Sequence, residues 1–273
     1  METQMKTKSA LSYFGSDSEV ASRLASMLDD CKHVTIPFCG GMSILPHLKA
    51  RAIVANDLNG LAINFYRVLS GHFGADAVKT LIARCQNTLS HPEELSTAIL
   101  WLSAGGVSAE SRAWAYWAQC WIGRKGKGGT KHAGGLPSVR RTPEGGSNNS
   151  RITAAAMDLE AWAKQFRRCE WEQVCFRVLI PKVADKAECG LYVDAPWVKA
   201  GHNYMHAFAD RDHCDLASLL QRFEHATIVI RYDDTPLTRE LYTESSWTWI
   251  DAVSRTQSNG SIKEVWITRN VRV

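Results

Sequence analysis

The sequence predicts an α/β protein built on a doubly wound sheet. Near the start, HVTIPFCGG (33–41) is a β-branched run that ends in two glycines, and RAIVANDLN (51–59) is an apolar run that ends in polar residues before the amphipathic segment 60–69. The pattern returns at CGLYVDAPW (189–197) and ATIVIRYDD (226–234), which also contain apolar runs that lead into acids. Strands that alternate with helices in this way form a sheet covered by helices on both faces.

The spacing of apolar residues predicts the remaining elements. Near the N-terminus, residues 18–30 form a helix that Ser18 caps, and residues 43–50 form a helix that Pro46 shortens or kinks. Toward the C-terminus the predicted elements are helices at 212–223 and 235–242 and a final strand at 262–270.

Composition narrows the class of protein. The chain has 273 residues, of which 45% are hydrophobic and 22% charged, a globular balance with room for one large domain or a domain with a sizeable insertion. No run approaches the roughly 18 apolar residues of a membrane helix, and METQMKTKSALSYFG lacks the apolar centre of a signal peptide. We therefore expect a cytoplasmic protein without a membrane partner. Eight cysteines without CxxC spacing argue against a zinc site and against disulfides.

The middle of the chain is predicted to be helical and rich in aromatic residues. Within residues 75–121, Trp114, Trp117 and Trp121 fall at helical spacing. This spacing indicates core residues, and the alternative is that one edge of the cluster meets DNA. A further helix is predicted at 152–166.

The predicted domain organisation is an α/β core interrupted by an insertion. Residues 1–71 and 189–273 form the core, and residues 72–188 form a helical, glycine-rich inserted region. Within the insertion, the segment 123–151 carries seven basic residues and one acid, Glu144. This local excess suits phosphate contacts, although a solvated flexible loop has the same composition. The basic residues singled out for DNA binding are Arg124, Lys125, Lys127, Lys131, Arg140 and Arg141.

The first candidate site follows the first two predicted strands. Glycines let a backbone approach a ligand closely, and an acid after the second strand can accept both ribose hydroxyls of an adenosine-type cofactor. Plain turns after each strand are the structural alternative. The residues concerned are Pro37, Phe38, Cys39, Gly40 and Gly41 in the loop, and Asn56 and Asp57 after the second strand.

The second candidate site is the tetrapeptide Asp194, Ala195, Pro196 and Trp197 after a later strand. Ligands in open α/β sheets lie outside this end of the strands. A carboxylate and a neighbouring backbone carbonyl can accept two hydrogen bonds from an amino group and align its lone pair toward an electrophilic methyl, while Trp197 offers a flat face to a flipped base. A strand end with a buried tryptophan is the alternative interpretation.

With these motifs the chain resembles the Dam-type, alpha-class DNA adenine N6-methyltransferases, particularly the compact phage and prophage members. The family's order of motifs is kept over most of the chain, with the target-recognition insertion between the cofactor motifs and the catalytic tetrapeptide. The resemblance implies a Rossmann-like S-adenosylmethionine-dependent methyltransferase core with a helical, glycine-rich recognition insertion. Its segments are SYFGS, IPFCGGMSIL, VANDLNGLAINFYRVL, CWIGRKGKGGT, SVRRTPEGG, GLYVDAPW, NYMHAFADRDHCDLASLL and IVIRYDDTPLTRELY.

The resemblance also implies roles for individual residues. Asp194, Ala195, Pro196 and Trp197 match the catalytic Asp-Pro-Pro-aromatic motif, and Tyr204 and Phe208 fall where the family closes over the flipped base. The residues implied in binding S-adenosylmethionine are Tyr13, Phe14 and Gly15 of the N-terminal motif, Pro37, Phe38, Cys39, Gly40 and Gly41 of the glycine loop, Asn56, Asp57 and Leu58, and Cys175 and Phe176 before the catalytic strand.

Three positions depart from the family pattern. The N-terminal motif continues as Gly15-Ser16-Asp17 where relatives usually have a lysine, and Cys175 stands where relatives often carry an acid before phenylalanine. Ala195 replaces the first proline of the catalytic motif, and its carbonyl can still accept a hydrogen bond, with less rigidity.

The function implied is methyl transfer from S-adenosylmethionine to adenine N6 in double-stranded DNA after base flipping. The protein is expected to act as a monomer or weak dimer in a bacterial cell or phage-infected host, without a metal, because the sulfonium already makes the methyl electrophilic. The alternatives are another nucleobase amino group as acceptor, a cofactor analogue, or a catalytically silent DNA-binding protein. His202, His206 and His213 show no metal-ligand pattern.

Overall fold

Seven β-strands form one sheet in the computed structural model, which describes residues 9–13, 20–123, 128–130, 147–255 and 261–271. The order across the sheet is β3-β2-β1-β4-β5-β7-β6. The first five strands in this order pair in parallel, and β7 is antiparallel to both of its neighbours, β5 and β6. The fold is mixed α/β, with a mostly parallel sheet flanked by helices, and is compatible with the predicted Rossmann-like class. The strands are β1 (His33–Ile36), β2 (Ala52–Asn56), β3 (Cys169–Glu172), β4 (Cys189–Val193), β5 (Thr227–Asp233), β6 (Thr248–Arg255) and β7 (Ser261–Arg269).

Ten α-helices lie within the described ranges. They are α1 (Ala21–Ser26), α2 (Gly60–Leu69), α3 (Ala75–Gln86), α4 (Pro92–Ser103), α5 (Ala109–Ile122), α6 (Asn148–Met157), α7 (Leu159–Phe166), α8 (Phe176–Leu179), α9 (Asp210–Leu220) and α10 (Pro236–Leu241). The predicted helices at 60–69, 212–223 and 235–242 correspond to α2, α9 and α10, and the predicted helical region 75–121 contains α3, α4 and α5.

The chain divides into two units, which we name the sheet unit and the helical unit. Their bounds differ from the predicted ones, because residues 1–16, 40–43 and 59–71 belong to the helical unit and residues 168–188 to the sheet unit. Target recognition by 72–188 stays a prediction. The sheet unit comprises Asp17–Cys39, Ile44–Leu58 and Arg168–Val273, and the helical unit comprises Met1–Ser16, Gly40–Ser43 and Asn59–Arg167.

The interior strands of the sheet explain why the α/β prediction is correct. Every residue of β4 and β5 is buried, and so are three of the four residues of β1. Parallel strands covered on both faces have nearly continuous apolar sequences. The predicted strands at 33–41, 51–59, 189–197 and 226–234 are therefore confirmed as β1, β2, β4 and β5.

The strand order reverses beside β1, and this reversal positions the candidate site. From β1 the chain proceeds outward through β2 to β3, and it then returns to β4 on the other side of β1 before continuing to β5. In open α/β sheets a crevice forms outside the carboxyl ends of the two strands at such a switch point, and ligands bind there. The loops that follow β1 and β4 are the segments that carry the two predicted motifs.

Three predicted helices differ from the observed ones. Helix α1 covers only part of 18–30, and the proposed cap Ser18 lies outside the described residues. In the segment 43–50 only a short 3₁₀ turn forms, because Pro46 has no backbone N–H to continue a helix. The predicted helix 152–166 is two helices, α6 and α7, which meet at Asp158, a residue type with low helix propensity.

In the helical unit the tryptophans belong to the core. Trp114 is 1% exposed, and its indole N–H donates to the hydroxyl of Thr88 at 2.8 Å. Trp117 and Trp121 are also buried, and the indole of Trp121 donates to the carbonyl of Ala10 at 3.0 Å. The core interpretation of this aromatic stripe is confirmed.

Candidate functional site

Asp194 is the first residue after β4, at the carboxyl end of the strand. Its side chain is 26% exposed. The hydroxyl of Tyr192 donates to Asp194 Oδ2 at 3.3 Å, and Nη1 of Arg231 donates to the same oxygen at 3.4 Å. Within the part of the chain that the structure describes, no hydrogen bond reaches Oδ1. The carboxylate is therefore held through one oxygen while the other is available to a ligand.

The guanidinium that holds Asp194 is deeply buried. Arg231 is an interior residue of β5, and its side chain is 3% exposed. Its Nε and Nη2 donate to Oε2 of Glu264 on β7, at 3.1 and 2.7 Å. The other carboxylate oxygen of Glu264 accepts the indole N–H of Trp266 at 2.8 Å. We refer to Asp194, Arg231 and Glu264 as the charge network, which crosses from β4 through β5 to β7.

Burial and charge both affect how the charge network titrates. Burial raises the pKa of Asp194, Arg231 opposes the rise, and Glu264 adds to it, so that the pKa lies above its ordinary value. Burial lowers the pKa of Arg231, but the two carboxylates outweigh it and raise that pKa above its usual range. Burial likewise raises the pKa of Tyr192. Arg231 is therefore a permanent cation, and Tyr192 is a neutral hydrogen-bond donor.

The loop after Asp194 is fixed by a second aspartate. Asp233, the last residue of β5, is 2% exposed. Its Oδ1 accepts the backbone N–H of Val198 at 3.0 Å, and its Oδ2 accepts that of Lys199 at 3.1 Å. The ring of Trp197 lies 5.2 Å from the guanidinium carbon of Arg231, which is cation–π range. The backbone and the aromatic side chain after Asp194 are thus both held by β5.

The pKa of Tyr204 is affected by three aspartates at the strand ends. Burial raises the pKa of Tyr204, and Asp194, Asp57 and Asp233 raise it further, while Arg231 opposes them. These carboxylates follow or end β4, β2 and β5 respectively. Because β2, β1, β4 and β5 pair in parallel, Asp57 and Asp194, which come from separate motifs, lie at the same edge of the sheet.

Three aromatic residues from distant segments form a cluster beside β1. The ring centroid of Phe38, two residues after β1, lies 5.5 Å from that of Phe176 and 5.7 Å from that of Phe208. Phe176 and Phe208 are 5.6 Å apart. The resemblance singled out all three residues, and the sheet unit brings them together.

Asn56 connects the loops that carry this cluster. Its amide donates to the carbonyls of Pro37 and Val174, at 2.9 and 3.0 Å, and its oxygen accepts the N–H of Val174 at 2.8 Å. The residue is 1% exposed. Asn56 therefore positions Phe38 and Cys175 through the backbone, whereas Asp57 directly after it is only partly buried.

In the helical unit, the glycine loop and the N-terminal motif have their own contacts. Gly40 has φ 47°, a left-handed conformation that favours glycine. Its carbonyl accepts the hydroxyl of Tyr66, and the carbonyl of Gly41 accepts the hydroxyl of Ser9 at 2.7 Å. The ring of Tyr13 packs where a side chain at Gly129 would stand, since a Cβ there would lie 2.5 Å from the ring. The role of these residues in cofactor binding stays a prediction.

Three further residues implied in cofactor binding differ in exposure. Leu58 is 42% exposed, Cys39 is buried, and Cys175 is half-buried and accepts a hydrogen bond from Arg177 at 3.8 Å. The residues that lie outside the described part of the chain are Phe14, Gly15, Arg124, Lys125, Lys127, Lys131, Arg140 and Arg141.

Arg231, Asp233 and Glu264 were not among the residues predicted from the sequence. The sequence nevertheless contains a signal for a buried charge pair. Arg231 interrupts the apolar run TIVI-R-Y, and Glu264 precedes the apolar run VWI. A charge inside a strand that is buried on both faces requires a partner of opposite sign. The pattern could have predicted a buried ion pair, although not its contact with Asp194.

Among the described residues, no helix is both long and apolar enough to span a membrane. Those same residues contain no group of three or more His, Cys, Asp or Glu that could hold a metal ion. No protein-family model matches the chain, and no curated protein matches it. Function therefore has to be inferred from the geometry of the strand ends.

Proposed function

We propose that this chain transfers a methyl group from S-adenosylmethionine to the N6 amino group of adenine in double-stranded DNA. The observation that carries the proposal is the geometry of Asp194, a partly exposed carboxylate next to the switch point of the sheet. One oxygen is held by Tyr192 and Arg231, and the other accepts no hydrogen bond from any described residue. An exocyclic amino group, which donates two hydrogen bonds, is a complementary ligand for this oxygen.

The acceptor side of the reaction follows from the tetrapeptide. Asp194 Oδ1 accepts one N–H of the amino group and the carbonyl of Ala195 accepts the other, which directs the nitrogen lone pair out of this plane toward the methyl donor. Trp197, oriented by Arg231, stacks against the base. The adenine has to leave the duplex for this, because its amino group is paired inside the helix.

The proposed cofactor fits the strand ends on the other side of the switch point. Asp57 directly follows β2, where an acid accepts ribose hydroxyls, and Asn56 holds the loops around it. Phe38 and Phe208, which are partly exposed and pack on the buried Phe176, offer an apolar surface for a purine ring. When bound, S-adenosylmethionine supplies a methyl carbon that its sulfonium makes electrophilic.

Asp194 is also suited to accept the proton that the amino group loses. In the transfer the amino nitrogen would use its lone pair to bond to the methyl carbon, while the sulfonium–methyl bond breaks and the sulfur leaves with that electron pair as a neutral thioether. Positive charge then develops on the amino nitrogen, and its excess proton moves along the hydrogen bond to Asp194 Oδ1. Burial raises the pKa of Asp194, which makes it a stronger base than an exposed carboxylate. The charge network carries a net charge of minus one when ionised, which stabilises the developing positive charge.

The DNA partner is proposed from the basic segment 123–151, whose lysines and arginines suit phosphate contacts. Among the described residues of the segment, Gly129 donates its backbone N–H to the hydroxyl of Tyr116 on α5 at 3.1 Å. In this proposal the protein acts as a monomer or weak dimer in the cytoplasm of a bacterial cell or phage-infected host.

Transfer can be tested with purified protein, duplex DNA and S-adenosylmethionine labelled on the methyl group. We expect labelled N6-methyladenine in the nucleoside digest, measured by mass spectrometry, and on the order of 10³-fold less with the Asp194→Ala variant. If the label is found on cytosine N4, or only on adenine in RNA, that amino group is the acceptor and the proposed adenine in DNA is wrong. DNA binding without any transfer would overturn the proposal in favour of a silent DNA-binding protein.

A further inference from the structure

We propose that Arg231 is a positioning residue, which holds Asp194 Oδ2 so that Oδ1 faces the substrate, and that Glu264 sets how strongly Arg231 acts on Asp194. The inference rests on the proposed function for the identity of the substrate. It concerns two residues that neither motif contains, and its central readout does not require catalysis.

A series of hydrogen bonds leads from Trp266 through Glu264 and Arg231 to Asp194. Trp266 donates to one oxygen of Glu264, and the other oxygen of Glu264 accepts both Nε and Nη2 of Arg231. In the antiparallel pair, Arg231 is opposite Trp266, and Glu264 is opposite Asp233. These side chains therefore share one face of the sheet. With Nε and Nη2 engaged, the planar guanidinium has a fixed orientation, and Nη1 is directed to Asp194 Oδ2.

Stability alone is a weak reason for this arrangement. Buried ion pairs are poor sources of stability, because the desolvation of the charges offsets their attraction, and apolar replacements are often as stable. Here the carboxylate of Glu264 is fully buried, whereas Asp194 is partly exposed. Arg231 is buried and has a fixed orientation, and it donates to one oxygen of the partly exposed carboxylate of Asp194. It is therefore suited to orient that carboxylate.

The groups that face Asp194 predict how it titrates. Tyr192 approaches from its own strand, Arg231 from β5 and Glu264 from β7, and Tyr204 lies in the following loop. Arg231 favours the ionised carboxylate, and Glu264 opposes it. Neutralising Arg231 should therefore raise the pKa of Asp194, and neutralising Glu264 should lower it.

These opposite shifts form the test. Carboxyl carbons of ¹³C-labelled aspartate are titrated by NMR in the full chain, and the Asp194 signal is assigned by its loss in Asp194→Asn. We expect the midpoint to fall in Glu264→Gln, whose amide oxygen keeps an acceptor for the Arg231 guanidinium, and to rise in Arg231→Gln. Arg239→Gln is the matched control, because Arg239 pairs with Asp234 on the surface, and the Asp194 midpoint should stay unchanged.

A second measurement separates positioning from charge. Arg231→Lys keeps the cation but not the planar fork, so the midpoint should stay close to that of the native protein while kcat falls about 10- to 100-fold and cofactor affinity is unchanged. Glu264→Gln is nearly isosteric, so it provides the titration result even if the Arg231 variants do not fold.

The outcomes distinguish this inference from the proposed function. If Glu264→Gln leaves the Asp194 midpoint unchanged or raises it, or if Arg231→Lys transfers methyl groups at the native rate, the positioning role is overturned even in an active protein. If the midpoints move as expected but no nucleic acid is methylated, the control of Asp194 by the charge network stands and the proposed reaction fails.

Discussion

Two neighbouring strands, β4 and β5, each bring an aspartate to the same edge of the sheet, and the two carboxylates are used in different ways. Asp233 is 2% exposed, and both of its oxygens accept backbone N–H groups of the loop 198–199. Asp194 is 26% exposed, and only one of its oxygens accepts hydrogen bonds from the described residues. The two aspartates have the same position at the end of a strand, but they differ in how many of their oxygens accept hydrogen bonds.

The difference indicates which carboxylate supports the loop and which is available for chemistry. A buried carboxylate with both oxygens occupied has no capacity left for a substrate, and its removal would leave backbone N–H groups unpaired. A half-occupied carboxylate near the surface can accept a further donor. In the sequence the two sites look alike, since both are apolar runs that end in aspartate.

The largest expected effect concerns Asp194. Asp194→Ala should reduce transfer on the order of 10³-fold, because it removes an oriented acceptor from the transition state. Affinity for the cofactor should stay within about threefold, since the proposed role is in orienting the acceptor base. Transfer is measured with labelled cofactor in single turnover, and affinity by calorimetry.

Asp194→Asn is a sharper version of this test. Arg231 requires an acceptor at the Oδ2 position, so the amide should direct its oxygen to Arg231 and its NH₂ toward the substrate, where it repels the amino group. The asparagine variant should therefore be as inactive as the alanine variant. Substantial activity in Asp194→Asn would show that Arg231 does not orient this side chain.

Asp233 should affect stability more than any step of the reaction. Asp233→Ala leaves the N–H groups of Val198 and Lys199 without their acceptor and should lower the free energy of unfolding by about 3 kcal/mol. Asp233→Asn keeps one acceptor and should lose about half as much. Urea unfolding measures both. A variant that loses transfer while its unfolding midpoint is unchanged would remove the distinction between the two aspartates.

Asp57 extends the comparison to a third strand end. Asp57→Ala should weaken the binding of S-adenosylmethionine by about 2 kcal/mol, roughly 30-fold, through the loss of charge-assisted hydrogen bonds to the ribose. The control is Asp76→Ala on α3, whose side chain is 98% exposed and should not affect affinity. Equal calorimetric affinities of the two variants would exclude Asp57 from the cofactor site.

The predictable part of the fold was its interior. Strands β1, β2, β4 and β5 lie inside the sheet and have apolar sequences that identify them. The strands that were missed, β3 (CEWE) and β6 (TWIDAVSR), lie at its two edges, where one side of each strand has no neighbouring strand. Edge strands tolerate charged side chains, so their sequences carry little of the apolar signal. The assignment of β3 to the insertion follows from that missing signal.

The predictable part of the site was its location. Asp194 and Asp57 are each recognisable as an acid after an apolar strand, and Phe38 and Phe176 through the resemblance. The supporting residues Arg231 and Glu264 were not recognisable, because their contacts depend on the antiparallel register of β5 and β7. Local patterns can identify an acid at the end of a strand, whereas its orientation depends on residues distant in the sequence.

The smallest expected effect concerns Asp185, which precedes β4 at the opposite edge of the sheet. Its carboxylate accepts the backbone N–H groups of Glu224, His225 and Ala226, each at 2.8 Å. Partial burial works to raise the pKa of Asp185, but these hydrogen bonds outweigh it and hold the pKa below its usual value. Its contribution to stability is therefore complete above the unfolded-state pKa, near 3.9, and is lost as the pH falls through the lower folded-state pKa.

Asp185→Asn should accordingly lower the free energy of unfolding by about 1 kcal/mol at neutral pH, and the difference from the native protein should disappear in acid. Asp194 provides the opposite sign, because burial raises its pKa, so its ionisation costs stability as the pH rises through the ordinary range of an aspartate. Urea unfolding of the native protein, Asp185→Asn and Asp194→Asn from pH 3 to 7 measures both slopes. If the two variants change the pH dependence of stability in the same direction, the contrast between a saturated and a half-occupied carboxylate does not describe how this sheet uses its strand ends.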